Sequence, residues 1–169
     1  MSVLDLDASI RRAEKRLGKS VRKVRSDRGR PRLDLGVLEC LVEVLGGQEQ
    51  PSGRELIGEL AKRCLDRGLD VPSRATVYKM MRTLVCGTRR MGDLPGPVRA
   101  ALYNVAEDAD VPEHLIVFHC FNHGDVAAIS YASGMPWLAL YQAARMRGFR
   151  ARSRGLLRSV LRTRGMRDG

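Results

Sequence analysis

The groups in this chain best placed to do chemistry lie between Pro72 and Leu84, and they bind rather than transform. Arg74, Thr76, Tyr78, Lys79, Arg82 and Thr83 are interleaved with Val77, Met80, Met81 and Leu84. At helical spacing the second set makes one apolar stripe, and the first falls mainly off it. Ser73 is the expected N-cap, its hydroxyl accepting from an orphan amide of the first turn. Cationic and hydroxyl groups on such a face can meet phosphates and base edges in a DNA major groove. A solvated surface helix has the same pattern, so the neighbouring elements decide between the two.

A second amphipathic helix is predicted over Ser52–Leu65. Ser52 and Glu55 stand at capping-box spacing, and Leu56, Ile57, Leu60, Cys64 and Leu65 supply the buried stripe. Gly68 fits its C-terminal end, and Leu69–Pro72 leads into the next helix. Upstream, Leu35, Leu38, Leu41, Val42 and Leu45 predict a third helix closed by Gly46 and Gly47. Three short helices, the last basic and well capped, are the parts of a helix-turn-helix. The basic turn Gly87–Asp93 suggests a wing, with Val98–Val105 as its returning strand, although the Ala-rich Val98–Leu102 also suits a helical turn.

The run Ser73-Arg74-Ala75-Thr76-Val77-Tyr78, followed by Leu84, resembles the recognition helix of winged-helix regulators of the ferric-uptake-regulator type. The Arg54-Glu55-Leu56 helix and the Gly68–Val71 connection have similar order and spacing, and the resemblance covers roughly residues 35–90. It implies a winged helix that docks this helix in the major groove, usually as a dimer. That family is metal-dependent, with a His-rich run and a Cys-x-x-Cys pair in the region that corresponds to Glu113–Val126. This chain has neither. It offers Cys120 and His123 at Cys-x-x-His spacing, which can bind zinc, beside His114, His119 and Asp125. A helix that buries Leu115, Ile116 and Phe118 and happens to contain Cys and His accounts for the same residues.

With 169 residues, 44% hydrophobic and 29% charged, the chain suits one ordinary domain or two small ones. Aromatic content of 5% argues against a base-stacking single-strand platform. Met1–Asp5 is acidic and lacks a long apolar run, so a cytoplasmic location with reduced cysteines at 40, 64, 86 and 120 is expected. No stretch approaches membrane-spanning length. No Gly-x-Ser-x-Gly, phosphate-cradling loop or His-Glu-x-x-His occurs, and no enzyme is expected.

Charge lies at the ends. Residues 1–32 carry 11 Lys/Arg against 4 Asp/Glu, residues 145–169 carry 9 against 1, and the middle has 10 against 14, for a net +11. Such arms are electrostatic footprints for nucleic acid. In the first, Ile10, Ala13 and Leu17 predict a short helix, and Arg28 and Arg30 in Arg28-Gly29-Arg30-Pro31 resemble hooks for a narrow minor groove. The C-terminal third reads as short helices punctuated by Gly and Pro. They cover 114–122, 126–132 capped by Asp125, 137–146, and 155–164 capped by Ser153. A second helix-turn-helix over 126–141 has an apolar second helix, so this region is read first as a packing or dimerisation module.

The expected architecture is mainly α, a winged helix-turn-helix domain followed by a small C-terminal helical module. The segments are a basic arm at 1–32, the DNA-binding domain at 33–107 and the interaction module, with its basic helix, at 108–169. Arg74, Thr76 and Lys79 are expected at base edges, and Ser73, Tyr78, Arg82, Arg89 and Arg90 at the DNA backbone. The expected role is a bacterial, dimeric, sequence-specific regulator of double-stranded DNA. It would be a repressor, or an autoregulator of the antitoxin type that joins a winged helix to a further domain, with no cofactor required and a protein partner on the C-terminal helices. The alternative is a basic RNA-associated or assembly protein in which the arms grip RNA.

Overall fold

The computed structural model describes residues 34–46 and 53–164. The predicted helix at 10–17, the arm residues Arg28 and Arg30, and the Ser52 cap lie outside them. Among the described residues the protein is mainly helical, with eight α-helices and one two-stranded sheet. It divides into two compact units between Val85 and Cys86, whereas the sequence suggests a boundary at 107/108.

In the N-terminal unit, α1 (Leu35–Gly46) and α2 (Gly53–Asp66) pack in opposite senses. Leu69, just beyond α2, lies against Gly36 at the start of α1. Further along, Glu43 of α1 is reached by Arg63 at 3.2 Å and Arg67 at 2.8 Å. The α1 stripe is wider than the heptad-like pattern suggested, because Val37, Cys40 and Val44 are also buried. Gly68 takes φ +66, the left-handed conformation a glycine adopts most readily, and the chain turns there into α3 (Arg74–Met81).

The C-terminal unit is built around α5 (Glu113–His123). Against it pack α4 (Gly96–Ala101), α6 (Val126–Ser133), α7 (Trp137–Ala144) and α8 (Ala151–Thr163). Ile116, Val117, Cys120 and Phe121 form its buried side. Strand β1 (Thr88–Arg90) pairs antiparallel with β2 (Asp110–Pro112), with Arg89 opposite Val111. The returning strand suggested at Val98–Val105 is thus corrected in favour of the helical turn that Val98–Leu102 also suited. That segment contains most of α4, with Pro97 in its first turn and Val98 and Ala101 buried. The alternation a half-buried strand needs is missing there, and Pro in the first turn is suited to a helix start.

Helix ends in this unit follow their local chemistry. Asp125 caps α6, its carboxylate accepting from the Ala128 amide at 2.8 Å. Gly124 is fixed by space, since a Cβ there would lie 2.6 Å from both the Cys120 carbonyl oxygen and the Ala128 Cβ. Ser153 does not cap the last helix. It is buried inside α8, which begins two residues before it, after Arg150. The turn before α8 is held from α5: Gly148 has φ +93 with Phe118 beneath it, and Phe149 packs edge-on to Phe118 at 4.8 Å. Buried Asn122 completes the clamp. Its Oδ1 accepts from the Arg150 amide at 3.1 Å, and its Nδ2 donates to the Gly148 carbonyl at 3.5 Å. Replacing Asn122 with Ala strands that amide, and a loss of about 1–3 kcal/mol in urea unfolding is expected.

Candidate nucleic-acid interface

Helix α3 forms as its residues dictate. Ser73 is extended at φ −61, ψ 152, and its Oγ accepts from the Thr76 amide at 3.2 Å. Val77, Met80, Met81 and Leu84 are each at most 1% exposed. Buried Thr83 turns its hydroxyl back to the Met80 carbonyl at 2.6 Å, which removes it from the outward face. Arg74, Ala75, Lys79 and Arg82 are exposed, and Tyr78 is half-buried among them. Arg74 lies over the Tyr78 ring at 5.4 Å and donates from Nη2 to its hydroxyl at 3.1 Å. This contact orders a long cationic side chain along the helix axis.

The expected contact residues therefore fall into groups. Ser73, Arg74, Tyr78, Lys79 and Arg82 share one surface of α3, whereas the Thr76 hydroxyl is engaged with that of Ser73 at 2.9 Å. Ala75, which the sequence reading passed over, sits on the same surface. Its signal was a small residue on the polar side of the wheel, where a methyl can meet a thymine methyl. Arg89 and Arg90 belong to β1 of the C-terminal unit. Arg90 is exposed, but Arg89 donates from Nε to Glu113 at 3.1 Å, and that carboxylate is only 2% exposed. Its principal partner is thus within the fold.

Cys120 and His123 are separated by burial. The Cys120 thiol is fully enclosed, and burial pushes its pKa up to about 12, with Asp125 adding to the rise, while His123 is exposed. Among the described residues no three or more His, Cys, Asp or Glu side chains gather in a way that could hold a metal ion. The second helix-turn-helix considered at 126–141 lacks an outward second helix, because α7 buries Trp137 through Tyr141. No family model, curated protein or solved structure matches the chain. Among the described residues, no helix is long and apolar enough to cross a membrane.

Two measurements test this geometry. Ser73→Ala removes the cap of α3, and a loss of about 1 kcal/mol in denaturant unfolding is expected. The second concerns His119, whose pKa is lowered from its usual 6.5 by burial and then by the nearby charge of His123. The unfolded chain therefore takes the proton first. Stability is full above the unfolded value and is lost as pH falls through the lower folded value. His119→Gln should flatten the decline in urea midpoint between about pH 7 and 5. An unchanged decline would remove His119 as its source.

Proposed function

We propose that this protein is a sequence-specific regulator that binds double-stranded DNA through α3, acting as a repressor. The observation that carries the proposal is the division of α3 into two faces. Apolar side chains are buried to at most 1% exposure on one side, and Arg74, Ala75, Tyr78, Lys79 and Arg82 stand on the other. No carboxylate occurs between Val71 and Gly92, so nothing in that stretch neutralises the outward cations. The order α1–α2–α3, with Gly68 turning the chain after α2, supports a helix-turn-helix with α3 as the reading helix. A two-fold dimer suits a palindromic operator.

Selection of bound duplexes from genomic fragments at about 0.2 M salt, where purely electrostatic binding is strongly weakened, tests the proposal. Recovery of one common inverted repeat is the expected result, and recovery of no preferred sequence rejects sequence reading. On a recovered site, Arg74→Ala and Lys79→Ala should each cost about 1–3 kcal/mol and relax preference at particular base pairs. Arg82→Ala should instead weaken binding evenly across sequences, as loss of a phosphate contact does.

A further inference from the structure

The C-terminal unit bears a second cationic surface that base reading by α3 does not use. Leu157 and Leu161 turn one side of α8 into the core, and Ser153 is buried with them. The opposite side exposes Arg152, Arg158 and Arg162, with the last two one helical turn apart. The preceding turn adds exposed Arg145 and Arg147, and the Arg145 guanidinium lies 4.3 Å from the centre of the Tyr141 ring. None of these five arginines pairs with a carboxylate among the described residues, and no Asp or Glu occurs from Val126 to Arg167. Every cation in that stretch is Arg and none is Lys, which favours planar, bidentate recognition of phosphate.

Gly155 lies at the centre of this face, and a Cβ built on it meets no atom within 4 Å. An exposed mid-helix glycine weakens a helix relative to alanine. The space over Gly155 is open, so an external backbone can approach the helix closely there. We infer that the outer face of α8, continued by the α7–α8 turn, is a sequence-independent contact for the phosphodiester backbone of duplex DNA.

A membrane surface fits less well. Interfacial helices keep an apolar face for lipid, but the apolar side of α8 is consumed by the core and leaves only Leu156 outward, at 44% exposure. Single strands fit less well because no aromatic ring is exposed on this face, Tyr141 being 4% exposed beneath Arg145.

The test uses the full chain with Arg152, Arg158 and Arg162 replaced together by Gln, and in a second variant by Lys. Binding to a random-sequence duplex is followed by fluorescence anisotropy across salt concentrations, with melting temperature as the control for folding. Each lost phosphate contact lowers the slope of log affinity against log salt by about 0.9, so the Gln variant should lose about 2–3 from the slope. The Lys variant should keep the slope, because it keeps the charges. An unchanged slope in a folded Gln variant overturns the inference. So does a loss of binding confined to single-stranded DNA or to phosphatidylglycerol vesicles. Because the probe has random sequence, a failed search for an operator rejects base reading by α3 and leaves this result standing.

Discussion

The arrangement of the C-terminal unit depends on the burial of α5. Four helices and one strand pack on it, and each of its ends fixes another part of the fold. At its start, the Glu113 side chain enters the interior paired with the Arg89 guanidinium, and its amide donates to the Gly87 carbonyl at 2.9 Å. At its other end Asn122 sets where α8 begins. Removing one partner of a buried ion pair leaves an uncompensated charge, which typically costs more than the intact pair contributes. The strand β1 and the direction of the arginine-bearing helix are therefore coupled through one element.

Arginine has two kinds of work in this protein. Arg63 and Arg67 hold Glu43 across α1 and α2, and Arg67 draws the Glu43 carboxyl below its usual pKa. Arg89 holds Glu113, and Arg164 donates to the Met135 carbonyl at 2.7 Å, tying the end of α8 to the turn after α6. Burial lowers the Arg164 pKa from its usual value. These groups are counter-charges and caps within the fold, whereas among the described residues the exposed arginines of α3 and α8 pair with no carboxylate. A net charge of +11 does not separate the two populations, and their partners do.

What could be read from the sequence was what is decided locally. Ser73 and Asp125 announced helix starts because a cap is made within three residues, and Gly68 announced a stop because its conformation suits few other residues. The apolar stripe of α3 was legible for the same reason. The Arg89–Glu113 pair was not, because its members stand 24 residues apart and neither position marks the other. Ser153 misled because a hydroxyl three residues into α8 looks like a cap until the burial of Leu157 sets the register. The strand predicted at 98–105 failed because pairing for β1 is chosen by the fold, and it lies beyond the turn at Asp110–Pro112.

The carboxylate-free stretch from Val126 to Arg167 also bears on how this protein behaves when alone. Like charges crowded on a small folded unit repel one another, and unfolding the chain separates them. Dissolved anions screen that repulsion, and a bound polyanion removes it more completely because it binds the folded surface preferentially. A polyanion held on this surface, as proposed above, would thereby also stabilise the unit. At low ionic strength, where screening is weakest, this repulsion costs the C-terminal unit most.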